Sequence, residues 1–348
     1  FHSLARNVED GLALFAEMVM RPRFDAARVE VWRGQELEAV RRRQDNPGFF
    51  AATEFNRLMY GEHPVGWVIV EEDLDPEDLS EASLRRVHEA IYCPEHVAFG
   101  VTGALPLEEA TRLLESAFAG WAACPDTLAE PPGPDVRDAG GVFLIARALA
   151  QSTVYMGHGS ALRQGPTPEY FASRIANAIL GASGFTSRLV REVRTERGLA
   201  YGAGSFWTTP EENEGIFGAT TSTRAPATVE AVRVMTDVIA GMTEAPPSPE
   251  EVRLAIEDIS NGFVFNFESP ARIVARRMLY HQEGLPADWL ERYLEGVQAV
   301  TPAQVHRVMS EHVHPERLTV LILGDPAAMD PPPSVLGEVV ELRVKERQ

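Results

Sequence analysis

An internal repeat with a nearly constant offset restricts the fold of this chain more than any other feature of the sequence. Pro94 recurs as Pro315, and Gly103 recurs as Gly324, in each case about 221 positions later. A constant spacing maintained across half of a chain indicates duplication of one structural unit. We therefore predict an α+β fold of two homologous α/β domains, each a sheet covered by helices and joined by a proline-rich linker.

The two copies of the repeat differ in length. The second copy contains about 85 residues, from near Gly140 to Ala225, before the helix that matches the first helix of the chain. The first copy has no counterpart of these 85 residues. We predict a first domain over residues 1–121, its opening ~85 residues absent, and a second domain over 140–325. Residues 122–139 form the linker, because prolines are concentrated there, and residues 326–348 form a tail.

Composition excludes several classes of function. The net charge of −19 argues against nucleic acid and anionic membranes as partners. No apolar run is long enough for a membrane span. Only one of the 32 basic residues is lysine, a bias typical of GC-rich bacterial genomes. One disulfide between Cys93 and Cys124 is compatible with the sequence but not demanded by it, so cysteine usage leaves the compartment open, cytoplasmic or periplasmic.

One stretch, residues 181–207, reads as a short helix, a glycine stop and a strand. Phe185, Leu189 and Val193 recur at every fourth residue, which predicts that they share one buried face of a helix. Gly198 follows as the helix stop, because glycine adopts the left-handed conformation at little cost. Small and aromatic residues after it predict a strand.

This turn brings two candidate functional residues, Arg194 and Tyr201, to the same end of the unit. A guanidinium and a phenol that converge there can polarise a substrate carbonyl. The plainer interpretation is a surface cation near a helix C-terminus beside a half-buried strand residue.

The spacing around the pair carries a resemblance to a known family. Ser187, Arg188 and Leu189 precede Arg194, and Gly-Leu-Ala leads to Tyr201. This arrangement resembles the signature of the second domain of the pitrilysin/insulinase family, the inverzincin metallopeptidases. The resemblance implies that Arg194 and Tyr201 are the catalytic and substrate-binding residues, holding the scissile region of a peptide while zinc lies on another domain.

The sequence predicts no metal ligands on this chain. Neither H-x-x-E-H nor H-E-x-x-H occurs, and the segment that would carry such a helix in the family corresponds to the part missing from the first copy. In the family, a glutamate on a later helix is the third ligand. Ala39 stands at that position here, although a one-residue shift of the alignment places Glu38 there. A weaker cluster, His306, His312 and His314, lies around the end of one helix and cannot share one of its faces.

The resemblance implies a function as one subunit of a zinc endopeptidase that cleaves unfolded peptides. This chain would supply the Arg/Tyr site, and a homologous partner in a heterodimer would carry the zinc. Two alternatives stay open: a self-sufficient zinc peptidase whose H-x-x-E-H segment is missing from this chain, and a non-catalytic structural subunit like the respiratory-complex core proteins. A serine hydrolase is disfavoured, because the Gly181–Phe185 motif lacks its last glycine.

Overall fold

The computed structural model describes residues 1–125 and 132–343, which divide into two compact units. The helical unit comprises residues 1–42, 69–125 and 264–284, and the sheet unit comprises residues 43–68, 132–263 and 285–343. The predicted linker and tail fall partly outside the described residues. The domain boundaries expected from the sequence repeat stay a prediction.

Helices dominate the described chain. They are α1 (Val8–Met20), α2 (Ala26–Arg42), α3 (Pro47–Tyr60), α4 (Glu81–Ile91), α5 (Leu107–Ala117), α6 (Pro168–Asn177), α7 (Arg188–Val190), α8 (Thr228–Glu244), α9 (Pro249–Phe263), α10 (Pro270–Gln282), α11 (Trp289–Gln298) and α12 (Pro302–His312). The strands are β1 (Gly141–Ala146), β2 (Gln151–Ser160), β3 (Ala200–Trp207), β4 (Gly215–Arg224), β5 (Thr319–Gly324) and β6 (Val339–Glu341). No helix within these described ranges is both long and apolar enough to cross a bilayer.

The sheet unit is built on one mixed, six-stranded sheet with the strand order β3-β4-β2-β5-β1-β6. Strand β1 pairs in parallel with β5 and β6, while β2 is antiparallel to β4 and β5, and β3 is antiparallel to β4. This arrangement confirms the predicted α+β class. Three residues of the predicted tail form β6, a run too short for periodicity to reveal.

Helices pack on both faces of this sheet. Val154 and Met156 of β2 are fully buried and alternate with Tyr155, so they point to the opposite face. Helices α6, α8 and α12 pack together over the first face. On the second face, the ring of Tyr155 lies 5.6 Å from the ring of Phe55 on α3. The sheet is therefore the middle layer of a helix–sheet–helix arrangement.

Helix α3 covers the second face because its sequence is both well capped and strongly amphipathic. The side chain of Asn46 accepts a hydrogen bond from the backbone of Phe49, and Pro47 occupies the first turn, where its missing N–H costs nothing. Phe55 and Met59 are buried among residues of β1, β2 and β5. An element of the first sequence copy thus completes the core of the second.

The matching helix of the second copy, α10, lies in the helical unit. Its cap, Ser269-Pro270, corresponds to Asn46-Pro47, and Ser269 accepts from the backbone of Arg272. A Cβ built on Gly100 would meet the side chains of Val274 and Met278 on α10, so the backbone at Gly100 lies directly against that helix. Each copy therefore contributes one helix to the unit that holds the rest of the other copy.

The apolar segment over residues 96–103 does not form a strand. This segment is extended at Val97 but makes no backbone ladder with the described residues, and Phe99 and Val101 are exposed. Its repeat counterpart, β5, pairs with β1 and β2, and residues 1–125 include no segments that match those two strands. Hydrophobic pattern alone cannot make a strand without a neighbour to accept its hydrogen bonds. The sheet expected in the first domain is accordingly absent from residues 1–125.

Truncation of a buried aromatic on α3 tests this architecture. Phe55→Ala is expected to lower the free energy of unfolding by about 3–5 kcal/mol, because Phe55 is 1% exposed and packs on Tyr155 and Phe206. The matched control is Phe49→Ala on the same helix, where the side chain is 59% exposed and the expected change is below about 0.5 kcal/mol. Urea unfolding of both variants measures the difference; equal midpoints would show that α3 does not cover the sheet.

Candidate functional site

The segment before β3 forms a helix that begins later than the periodicity predicted. Gly184 has a positive φ of 60° and Ser187 is extended, so helix α7 starts only at Arg188. Leu189 and Val193 are fully buried as predicted. The prediction for Phe185 was wrong: it lies in the preceding 3-10 turn and is 74% exposed.

Helix α7 widens into a π-helical turn, Arg191–Glu196, before the chain reverses. Gly198 then adopts the left-handed conformation with φ 60°, which confirms the predicted stop. The backbone N–H of Gly198 donates to the carbonyl of Arg194, and that of Leu199 donates to the carbonyl of Val193. These two bonds fix how β3 leaves the helix. Single-turn π-helices inside or at the end of α-helices often mark functional sites.

Strand β3 begins with a β-bulge at Tyr201. Ala200 pairs with Thr223 and Gly202 pairs with Ser222, so Tyr201 is the extra residue between two consecutive pairs. A bulge turns its extra side chain away from the regular alternation of the strand. The ring of Tyr201 is accordingly 85% exposed, not half-buried in the sheet.

The guanidinium of Arg194 lies between two aromatic rings. Its central carbon is 4.7 Å from the ring centroid of Tyr201 and 4.6 Å from that of Phe185. The structure therefore brings Arg194 and Tyr201 together as the sequence predicted. Each stacking contact contributes roughly 0.5–1 kcal/mol at an exposed site, and together they restrict the plane of the guanidinium. Sequence reasoning missed Phe185 as a member of this group, because its spacing assigned it to the buried face.

Arg194 differs from the neighbouring arginines in its partners. Arg188, Arg191 and Arg197 each have a carboxylate oxygen within 4.0 Å, from Glu251 or Glu192. Within residues 1–125 and 132–343, the guanidinium of Arg194 makes no hydrogen bond or ion pair. Its N–H donors are therefore available to an incoming acceptor.

The helix that carries Arg194 is anchored by a bidentate ion pair at its start. The Nε and Nη2 atoms of Arg188 donate to the two carboxylate oxygens of Glu251 at 2.7 and 3.0 Å. Burial raises the pKa of Glu251, but the hydrogen bonds from Arg188 and Ser248 outweigh this effect and lower the pKa to about 2. Arg188 thus acts as a structural anchor to α9.

A groove of about 780 Å³ lies beside β3, on the face of the sheet that α3 covers in part. Two rows of paired residues form its floor, namely Tyr155–Thr220–Gly204 and Thr153–Ser222–Gly202. The two glycines leave the β3 side of the floor without side chains. A Cβ at Gly202 would meet no atom within 4 Å, so the space above it is open. The groove begins at the residue that follows Tyr201.

The candidate zinc ligands on and near α2 and α12 do not fit that metal. Ala39 is exposed on α2, and the carboxylate of Glu38 faces Arg41 at 3.6 Å in a solvated ion pair. His306 contacts the carbonyl of Thr243 through Nε2 at 3.1 Å. Among the described residues, neither glutamates of α2 nor histidines of α12 belong to a group whose ligand atoms converge.

A buried histidine that the sequence did not single out, His158, is satisfied within the core. Its Nδ1 lies 2.7 Å from the carbonyl of Gly159, and its Nε2 accepts from the backbone N–H of His314 at 3.0 Å. Burial lowers the pKa of His158, so the ring stays neutral and uses both nitrogens for structure. It is not available for catalysis.

Comparison with known proteins yields consistent matches. Residues 78–258 match the family model described as the peptidase M16 inactive domain. An uncharacterized zinc protease of Streptomyces coelicolor is 26% identical over 305 residues, 85% of this chain and 64% of that protein. An uncharacterized zinc protease of Mycobacterium tuberculosis is 24% identical over 93% of this chain and 73% of its own length.

A solved structure shows the same fold. The peptidase M16 inactive domain from Pseudomonas fluorescens superposes with a TM-score of 0.82 at 25% identity, covering 95% of this chain and 78% of that one. The fold and these matches define a zinc-protease-like α+β protein. The chain belongs to the peptidase M16 family, as the signature around Arg194 indicated.

The Arg188–Glu251 pair predicts a specific dependence of stability on pH. Because the pKa of about 2 in the folded protein lies below the ordinary glutamate pKa of 4.5, the stabilisation is complete above pH 4.5 and is lost as the pH falls towards 2. Glu251→Gln is expected to cost roughly 1.5–3 kcal/mol at neutral pH. Urea unfolding of wild type and variant across this pH range should show the two free energies converging at low pH. A difference that stays constant down to pH 2 would contradict the assignment.

Proposed function

We propose that this chain is the Arg/Tyr-bearing subunit of a zinc-dependent endopeptidase that cleaves unfolded peptides. The chain spans 64% of the length of its Streptomyces relative, so the activity of the whole protein is part of the proposal. The single observation that carries it is the unpaired, stacked guanidinium of Arg194 beside the exposed phenol of Tyr201.

The charge of the protein makes this arrangement informative. In a chain with a net charge of −19, carboxylates are abundant, and the arginines at positions 188, 191 and 197 all face one. Arg194 faces aromatic rings instead. Two rings hold the cation in one orientation without consuming its N–H donors, so the group is prepared for a polar ligand.

Arg194 and Tyr201 would act on the carbonyl of the scissile peptide bond. The guanidinium N–H groups and the phenol O–H donate hydrogen bonds to the carbonyl oxygen, and these bonds strengthen as negative charge develops on that oxygen. The groove beside β3 would accept the adjoining peptide in an extended conformation. Zinc and the base that activates water would come from a homologous partner subunit in a heterodimer, since the candidate ligands within residues 1–125 and 132–343 do not fit the family's metal site.

Two alternatives predict different measurements. A self-sufficient zinc peptidase would carry its own metal in the complete gene product, and the exposed, ion-paired Glu38 beside Ala39 argues against a ligand there. A structural subunit would have no chemical use for a stacked but unpaired Arg194. Zinc content and cleavage together separate the three cases.

Substitution of Arg194 is the direct test of the proposal. The complete gene product is purified with its copurifying partner, and cleavage of an unstructured reporter peptide is measured as kcat/KM. Arg194→Ala is expected to lower kcat/KM by about 10²–10³-fold, the usual effect of losing one oxyanion donor. Tyr201→Phe, which keeps the ring stacked on Arg194, should also lower kcat/KM.

The matched control is Arg191→Ala, three residues earlier on the same helix and exposed to solvent. It should cleave like wild type. Equal losses in the two arginine variants would indicate damage to the helix and contradict a specific role for Arg194. Stoichiometric zinc and full cleavage by the complete gene product without a partner would establish the self-sufficient alternative. Failure of every preparation to cleave the peptide would favour the structural alternative.

Filling the groove tests whether peptide lies beside β3. Gly202→Val adds a side chain into open space on an edge strand, so the fold should be retained. We expect KM for the reporter peptide to rise about tenfold or more, because the added isopropyl group occupies the position of bound peptide. Gly241→Ala on α8, where a Cβ also meets no atom within 4 Å, is the control and should leave KM unchanged. An unaltered KM in Gly202→Val would exclude the groove as the peptide site.

A further inference from the structure

A second group of chemically reactive side chains lies in the helical unit. Cys93 and Cys124 form a disulfide with their Cα atoms 5.2 Å apart, and the Nδ1 atom of His96 lies 3.2 Å from the sulfur of Cys93. One ligand atom from each of the three residues falls within 4.8 Å of the other two. Cys93 is 1% exposed, whereas His96 is at the surface, so the group is open on one side.

The turn that holds this group does not need its residues for structural reasons. It is a short 3-10 turn, Pro94–His96, and its repeat counterpart is another, Pro315–Arg317. In the second copy the residues at the positions of Cys93 and His96 are His314 and Arg317, and the turn forms equally well without a sulfur. The turn therefore does not require cysteine and histidine at these two positions in order to form.

We propose that reduction of the Cys93–Cys124 disulfide creates a binding site for a thiophilic divalent metal ion, with Zn²⁺ as the fitting ion. The ligands are the two thiolates and Nδ1 of His96, and a water molecule completes a tetrahedron. Two sulfurs and one imidazole are a donor set that Zn²⁺ accepts, at Zn–S distances of about 2.3 Å. This site is separate from the Arg194 site and does not depend on the proposed peptidase function.

A dithiol reductant supplies the electrons and protons that open the Cys93–Cys124 disulfide. The reductant transfers two electrons and two protons to the disulfide, the S–S bond breaks, two thiols form and the dithiol becomes a cyclic disulfide. Metal binding then releases the two thiol protons to solvent. To bind the metal through Nδ1, His96 gives up the contact of that atom with the carbonyl of Ile91, at 3.1 Å, and its remaining proton lies on Nε2.

The surroundings allow the sulfurs to separate and still hold the ion. Cys124 lies on irregular chain, outside any helix or strand, so its side chain can move away from Cys93 once the covalent bond is gone. Its backbone N–H donates to the carboxylate of Glu95 at 3.0 Å, which keeps Cys124 beside the turn. A hydrogen bond of this kind orients a ligand without coordinating the metal.

Cobalt titration of the full chain tests the site. Co²⁺ is added under nitrogen to oxidised protein and to protein reduced with a dithiol that has then been removed, and the thiolate-to-cobalt charge-transfer absorption is recorded. We expect one Co²⁺ per reduced chain, displaced by Zn²⁺, and no such absorption from oxidised chain. His96→Gln should weaken binding at least about tenfold, whereas His281→Gln, at an exposed histidine outside the group, should bind like wild type.

Two checks keep the result interpretable. Circular dichroism must show that reduced and oxidised chains are equally folded, and thiol titration must find two thiols in both reduced histidine variants. If the reduced chain absorbs no more than the oxidised chain, or if His96→Gln binds as tightly as His281→Gln, the pair is a structural disulfide only and the proposal fails. Zinc determinations that test the peptidase proposal are made on oxidised chain, so that this site does not contribute.

Discussion

The fold depends on the fact that its sheet has two apolar faces and must be covered on both. Strand β2 buries Val154 and Met156 on one side and packs Tyr155 against Phe55 on the other. Helices of the second sequence copy supply only one of these layers. The other layer is α3, which lies about 90 residues before β2 along the chain. Without α3, the apolar strand residues that pack against Phe55 would face water. The position of the groove, beside the part of the sheet that α3 leaves open, follows from the same constraint.

Local signals in the sequence predicted much of the unit around Arg194, because they act through a few neighbouring residues. The glycine stop at Gly198 and the spacing of Leu189 and Val193 both correspond to the observed structure. The proximity of Arg194 and Tyr201 was also predictable, since one tight turn separates them. The role of the pair stays a prediction.

The features that sequence reasoning missed depend on register or on distant partners. The bulge that exposes Tyr201 results from how β3 pairs with β4, which no local pattern records. Phe185 was assigned to a buried face because periodicity does not show that Gly184 and Ser187 interrupt the helix. The segment around Phe99 has the composition of a strand, yet a strand requires neighbours that residues 1–125 do not provide. The pairing of Cys93 with Cys124 likewise required the fold.

Because α3 and α10 are exchanged between the two sequence copies, each unit contains residues from both halves of the chain. A break between residues 125 and 132 would leave each fragment without one helix of its own unit, so neither fragment contains a complete core. Contacts such as those between α3 and β5 join residues more than 250 positions apart. Chain closure over that distance has a large entropic cost that must be met before the sheet is stabilised. During synthesis, then, α3 leaves the ribosome long before its strands exist, and the sheet unit completes its core only when the last strands have been made.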